Sequence, residues 1–298
     1  MLTAFQADGR FWKGNLHGHS TRSDGALDPE EVCRRYRDAG YDFTAITDHF
    51  RAVFDFPIVD TTAYRETGFT TLIGAEVHAP ATSWGDDWHI LAVGLPLDFA
   101  PTDAAETGPA LARRCRAAGA FVAIAHPQWY SLTLADAQSL DAAHAIEIYN
   151  HSSRLTFDRG DGSALLDTLL SRGREIGVIA TDDSHWIQMD GFGGWVMVKA
   201  PENTPAALLS ALKAGAYYAS EGPEILDIQR KGDGLEVCTS PAANILALGP
   251  GAKAVLELGT ELTTARLSLE PFRGSWCRVV VIDAAGRRAW SNPLWPDA

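Results

Sequence analysis

The chain has 298 residues, 46% of them hydrophobic and 21% charged, with a net charge of −13. That length accommodates one large domain and a smaller one, and the composition is that of an ordinary globular protein. The negative charge argues against an extended nucleic-acid surface or an anionic-membrane face, although bound divalent cations would let a pocket accept a phosphorylated small molecule.

The first informative stretch is residues 15–25, NLHGHSTRSDG, which follows an aromatic pair, Phe11 and Trp12. Residues i and i+2 of a strand share a face, so His17 and His19 can address one ion. Neutral imidazole is the commonest protein ligand for Zn, Mn or Fe. Asp24 follows in a Ser/Gly-rich turn able to fold back toward them. Asp28-Pro29-Glu30-Glu31 opens a helix, with Asp28 as N-cap, Pro29 in the first position and Glu31 in the third. It runs to Asp38 and stops at Gly40.

Residues 41–47 (YDFTAIT) then form a strand that delivers Asp48 and His49. Residues 61–68 are weakly helical. Residues 70–78 (TTLIGAEVH) make a strand carrying Glu76, with His78 on the same face, and residues 88–95 (WHILAVGL) make another with His89 near its start. A helix at 109–118 leads to a strand at 121–125 ending in His126-Pro127. The strand at 144–149 (HAIEIY) is followed by Asn150-His151-Ser152-Ser153-Arg154. A helix at 163–172 leads to a strand at 176–180 ending in Thr181-Asp182-Asp183-Ser184-His185. A strand at 195–199 and a helix at 204–214, with Thr204 as N-cap, complete the series.

This alternation predicts an α/β fold with a mostly parallel sheet or barrel buried on both faces. Polar residues gather just after strands, where such folds build their sites. The texture changes at Ser220-Glu221-Gly222-Pro223. Beyond it, Val/Leu/Ile-rich runs at 252–258, 263–269 and 277–282 between turn residues predict a small antiparallel β-sandwich. The division is therefore 1–220 and 221–298. The second part contains no histidine, so metal chemistry belongs upstream, and its expected role is packing or contact between copies of the chain.

Cys33, Cys115, Cys238 and Cys277 are widely spaced, which fits buried thiols in a reducing compartment and neither a disulfide framework nor a zinc ribbon. No basic-then-apolar leader opens the sequence, and no apolar run approaches about 18 residues. The expectation is a cytoplasmic protein without a membrane span.

Six histidines (His17, His19, His49, His89, His126, His185) and three acids (Asp24, Glu76, Asp183) thus fall at predicted strand ends or in the loops beside them. Carboxylates with imidazoles and no cysteine suit Zn, Mn or Fe. A carboxylate such as Glu76 can bridge two ions, and a hydroxide held between two metals is a nucleophile at neutral pH. Arg154 offers a fork for a phosphate group. Asp48 and Asp182, each beside a candidate ligand, are read as orienting the imidazoles. His78 is read as an orienting or substrate-contacting group and His144 as structural. Trp84, Trp88, Trp129 and Trp186 are read as pocket walls.

In order, His17-Gly18-His19, Asp24, Thr47-Asp48-His49, Glu76, Ala125-His126-Pro127 and Asp183-Ser184-His185 resemble the motifs of the PHP (polymerase and histidinol phosphatase) family, over residues 12–220. The resemblance implies a distorted (β/α)7 barrel with two or three divalent metals at the C-terminal ends of its strands. It implies one ion held by His17, His19, Glu76 and Asp183, a second by Glu76, His89 and His126, and a third by Asp24, His49 and His185. The implied activity is hydrolysis of a small phosphate ester, of nucleotide or sugar-phosphate type; Glu76 and Asp183, together with Arg154 read from its place after the 144–149 strand, are the residues expected to serve catalysis. Relatives acting on nucleotides often carry a helical insertion where this chain has only residues 96–120. A barrel followed by a β-domain also resembles relatives of carbamate hydrolases, so amide, ester or carbamate hydrolysis on the same site is the alternative. A non-catalytic, metal-stabilised sensor is the third reading.

Overall fold

The computed structural model describes residues 2–296. A short helix α1 (Thr3–Gln6) precedes strand β1 (Arg10–Asn15), and helix α2 (Pro29–Asp38) follows, its first turn capped by the Asp28 carboxylate accepting from the Glu31 amide. Strands β2 (Phe43–Ile46), β3 (His49–Phe50), β4 (Thr70–Ala79) and β5 (Trp88–Val93) come next. Then α3 (Gly108–Ala117), β6 (Phe121–Ile124), α4 (Leu134–Ser139), β7 (Ala145–Asn150), α5 (His151–Phe157), α6 (Ser163–Ser171) and β8 (Gly177–Thr181) alternate. Strand β9 (Trp195–Ala200), helix α7 (Pro205–Lys213), capped by Thr204, and β10 (Tyr217–Ser220) lead into β11 (Ile225–Lys231), β12 (Gly234–Leu248), β13 (Ala254–Ser268), β14 (Arg278–Ile282) and β15 (Arg288–Ser291). The helical character expected at 61–68 is reduced to a single 3-10 turn, Thr62–Tyr64.

The strands form one hydrogen-bonded path in the order β11-β12-β14-β15-β10-β9-β1-β2-β4-β5-β6-β7-β8, with β13 on β12 and β3 on β4. Neighbours β1–β2, β2–β4, β6–β7 and β7–β8 run parallel. However, β5 is antiparallel to both β4 and β6, and β9 to both β1 and β10. The sheet is therefore mixed, where the sequence predicted a mostly parallel one. Residues 80–87 alone join β4 to β5, and a parallel crossover needs about a dozen residues or more.

The path does not close into a ring of ladders. β1 and β8 approach through a single parallel bridge, Gly18 to Ser184. There the His19 amide donates to the Ser184 carbonyl (2.8 Å) and the Asp183 amide to the His17 carbonyl (2.9 Å). The contact draws the C-terminal ends of β1 and β8 together. Gly14 allows the approach of β1 to β2: a Cβ there would stand 2.2 Å from the buried Phe43 ring, so only glycine fits.

The C-terminal strands do not form a sheet of their own. β10 pairs antiparallel with both β9 and β15, so β11–β15 continue the same sheet past residue 220. The runs at 252–258 and 263–269, expected as two strands, are one long β13 against β12. Register shifts beside Ala242 let the pair bend without breaking. β5 shows how the upstream core is built: Ile90 and Ala92 face a cluster with Leu111, Val122 and Ile146, while Leu91 and Val93 face one with Leu16, Phe43 and Val196. Both faces are buried, which is why these strands read as unbroken apolar runs. A third cluster, including Val237, Ile245, Phe272 and Val279, lies among the C-terminal strands. No helix among the described residues is long and apolar enough to cross a membrane.

Candidate metal centre

Strand direction explains how the predicted residues meet. His17 and His19 extend β1, Asp24 lies in the following loop, and β3 sets His49 in parallel register with Glu76 of β4. His126 follows β6, and Asp183 and His185 follow β8. Apart from Glu76, inside the second half of β4, these residues lie past the C-terminal ends of β1, β2, β6 and β8. His89 opens its strand, yet because β5 runs antiparallel it pairs with His78 at the same end of β4.

Glu76 is fully buried at the centre of the group. Its Oε1 accepts from His89 Nδ1 (2.7 Å) and His126 Nε2 (2.9 Å). Its Oε2 lies 3.8 Å from Nε2 of both His17 and His19, and 2.6 Å from His49 Nδ1. Asp183 Oδ1 reaches His19 Nε2 (2.9 Å) and His17 Nε2 (3.2 Å). Asp24 faces His49 Nε2 (3.4 Å), His185 Nε2 (3.6 Å) and His19 Nδ1 (3.9 Å). Candidate ligand atoms lie within 4.8 Å of one another in four overlapping groups: His19/Asp24/His49/His185, His49/Glu76/His78/His89, His17/His19/Glu76 and His17/His126/Asp183. The structure thus brings together all nine residues singled out for metal binding.

Arg154 stands apart. It lies on α5 with a half-exposed side chain, engaged in an ion pair with Asp158 one turn on. Arg51 and Arg159 instead line a cleft of about 590 Å³ that His89 also lines. Arg51 lies 2.9 Å from Asp87, whereas Arg159 donates to the Trp129 carbonyl (3.2 Å). Trp84 and Trp129 wall this cleft, Trp84 held by its indole N–H on the Ser131 carbonyl (3.0 Å). The other two tryptophans do not serve as walls. Trp88 is buried in the core, and Trp186 packs edge-on against Tyr36 and Phe192.

One member of the site was missed by the sequence reading. Glu147, in the middle of β7 and 1% exposed, accepts from His17 Nδ1 (2.7 Å), the His126 amide (2.6 Å), Asn150 Nδ2 (2.8 Å) and Thr181 Oγ1 (2.8 Å). Asn150 spans from there to Asp183 Oδ2 (3.1 Å). The available signal was an acid inside the apolar run HAIEIY, since a buried carboxylate is kept only with partners. By contrast, Asp48 and Asp182 do not orient rings as expected. Asp48 receives the Ser20 amide and hydroxyl and the Ser23 hydroxyl. Asp182 receives the Tyr36 hydroxyl and the amides of Phe192, Gly193 and Gly194. Both carboxylates shape the loops that carry the ligands. His144 is structural, its Nδ1 accepting from the Val122 amide.

Backbone conformation also sets the ligands. Asp183 (φ 55°) and His126 (φ 23°) both adopt positive φ, a strained choice that clusters at functional sites. The electrostatics are those of interleaved acids and imidazoles. Burial works against a charge on His17, but Asp183 and Glu147 outweigh it and raise its pKa. His49 is likewise opposed by burial, yet Glu76 and Asp24 lift it to about 10. Burial together with the neighbouring His185 and His49 lowers His19 to about 4. Burial would raise Glu76, but His49 and His89 hold it well below the usual range. Asp182 is lifted to about 6 by burial, against the pull of its Tyr36 and amide partners.

The donor set suits divalent metals. His17 Nε2, His19 Nδ1, His126 Nδ1 and Glu76 Oε2 are buried and lack a hydrogen-bond partner, a cost that a cation would remove. His17 and His185 each have Nδ1 tied, to Glu147 and to the Asp183 carbonyl (2.8 Å) respectively, leaving Nε2 to face inward.

No family model matches the chain, and no curated protein matches it. Among solved structures, a two-domain protein from Bacteroides vulgatus containing a predicted PHP-like metal-dependent phosphoesterase matches with a TM-score of 0.56 at 17% identity, over 99% of each chain. A provisionally assigned metal-dependent phosphoesterase from Bifidobacterium adolescentis gives a TM-score of 0.42 at 17% identity, over 58% of this chain and 87% of that one. An amidohydrolase from Chromobacterium violaceum, with bound sulfate and no metal, gives 0.43 at 17% over the same shares. The first of these likenesses shows that the chain has a PHP-like fold.

Proposed function

We propose that this chain is a metal-dependent hydrolase that cleaves a small phosphate ester. The observation that carries the reading is the gathering of nine residues from six separate segments, Glu76 at their centre, with buried imidazole and carboxylate atoms among them left without a hydrogen-bond partner. His17, His19, Glu76 and Asp183 would hold one divalent cation, Glu76, His89 and His126 a second, and Asp24, His49 and His185 a third. When bound, such ions supply a nucleophile from water at neutral pH and offset charge on the attacked phosphoryl group.

The chain's own residues do the rest. Glu147 holds the His17 ring in one orientation and, through the His126 amide, fixes the turn after β6. Arg159, whose guanidinium donates to the Trp129 carbonyl and makes no ion pair among the described residues, is suited to grip an anionic substrate at the cleft, a role the sequence reading gave to Arg154. This cation favours a phosphate ester over a neutral amide or carbamate. Trp84 and Trp129 offer flat faces to the rest of the molecule. The strands from β1 to β8 are read as a distorted (β/α)7 barrel, and residues 221–298 as a β-domain through which copies could associate.

The test is a substrate panel on protein loaded with Zn, Mn or Fe(II): p-nitrophenyl phosphate, bis(p-nitrophenyl) phosphate, p-nitrophenyl acetate and an aryl carbamate. Chelator-sensitive turnover of a phosphate ester is expected. Turnover of the carbonyl substrates alone would move the reading to amide, ester or carbamate hydrolysis. Bound metal with no turnover of any of them would identify a binding protein.

A further inference from the structure

His78 is buried within the cluster but has no place in the three ligand sets. It projects from the same face of β4 as Glu76, with a side chain only 4% exposed. Its Nδ1 lies 3.0 Å from the Trp88 carbonyl oxygen, and its Nε2 lies 2.9 Å from His49 Nδ1. A neutral imidazole offers one N–H and one lone pair. A carbonyl oxygen only accepts, so the hydrogen of His78 sits on Nδ1 and its lone pair on Nε2. His49 Nδ1 must then be the donor. The nitrogen left to His49 for a cation is Nε2, which faces Asp24 (3.4 Å).

Two neighbours compete for these positions. Glu76 Oε2 is closer to His49 Nδ1, at 2.6 Å, and as an ionised carboxylate it only accepts, so it keeps the hydrogen on the same His49 nitrogen that faces His78. Arg51 Nη2 lies 3.3 Å from His78 Nδ1 and would reverse the tautomer by donating to it. Its contact is longer than the one to Trp88, and it also reaches Asp87 at 2.9 Å.

We propose that His78 is a positioning residue for His49. A relay from the Trp88 carbonyl through His78 aims the His49 Nε2 lone pair at the Asp24/His185 corner and sets the affinity of that one cation position. The inference rests on the reading of this corner as a cation site. Partners that orient a ligating histidine typically alter metal affinity by about 10–100-fold, and that is the effect expected here.

The first measurement needs no metal. Long-range 1H–15N correlation spectra of the metal-free protein should show His78 as the Nδ1–H tautomer, and an Nε2–H tautomer would overturn the relay. The second counts bound zinc at buffered free-zinc concentrations. His78→Ala and His78→Asn should weaken one ion by about 10–100-fold and leave the others unchanged. His78→Gln places an amide oxygen where Nε2 stood, accepts from His49, and should restore most of that loss. Thermal melts check the fold, and if the alanine variant fails to fold, the Asn and Gln pair carries the comparison. Unchanged affinities in His78→Asn, equal weakening of every ion, or a Gln variant no better than Asn would each overturn the proposal. A wild-type chain that binds no zinc would overturn the metal reading itself, whereas wild-type zinc binding with unaltered affinities in the variants overturns the relay alone.

Discussion

Glu147 Oε1 accepts from His17 Nδ1 at 2.7 Å across 130 residues of sequence, so a carboxylate in the middle of β7 aims the first histidine of the chain. Glu147→Gln would replace one acceptor oxygen with an NH2 group facing donors from His17, His126, Asn150 or Thr181. The expected result is about 10–100-fold weaker metal binding and a stability loss of about 1–3 kcal/mol. Metal titration and urea unfolding read the two effects separately.

His17→Ala or Asp183→Ala should abolish turnover while far-UV circular dichroism remains that of the parent. Both side chains meet the cluster's centre, and neither supplies much apolar burial. Near-normal activity in either variant would remove these residues from the reaction.

Cation binding should expel protons. His49 is lifted from 6.5 to about 10 in the metal-free protein by Glu76 and Asp24 against the cost of burial, so it is charged at neutral pH. It must lose a proton to present a lone pair to a metal. Calorimetric titration at pH 7.5 in buffers of different ionisation enthalpy should report release of about one proton or more, declining as the pH approaches 10. Because the folded pKa is raised, the stability contributed by His49 is complete below 6.5 and is lost as pH rises toward 10. Glu76 and Asp183 have lowered pKa values, so their contribution is lost instead as pH falls into the acid range. Melting of the metal-free protein should therefore weaken at both extremes. A flat profile between 6.5 and 10 would contradict the His49 assignment.

Arg159→Ala should raise KM for a phosphate ester by about tenfold or more with kcat little changed, as loss of a charged hydrogen bond to bound substrate predicts. Arg154→Ala, whose guanidinium is engaged with Asp158, should have a smaller effect. Steady-state kinetics on the best substrate of the panel decides between them.

The nine metal candidates were legible because each sits where local rules place it. The extended segment just past β1 brings His17 and His19 to the same carboxylate, Asp183, and the runs ahead of His126, Asp183 and His185 are recognisably buried strands. Glu147 was not legible as a partner, because nothing near it in sequence says that His17, Thr181 and the turn after β6 converge on it. Arg154 and Arg159 are both basic residues after the same strand, and only the course of the chain past α5 brings Arg159 to the cleft and leaves Arg154 on the surface. Asp48 and Asp182 look like ring partners by adjacency, but each turns toward loop amides or hydroxyls.

By itself, then, the sequence determined the alternation of elements, the helix caps at Asp28 and Thr204, and the histidine and carboxylate side chains set beside the strand ends, all of which follow from neighbours within a few residues. The tertiary structure alone decided that β5 runs backward and so brings His89 to the strand ends, that β10 joins β15 in one continuous sheet, and that Glu147 lies behind His17. Those outcomes depend on which surfaces are buried against each other, and burial is a property of the whole chain.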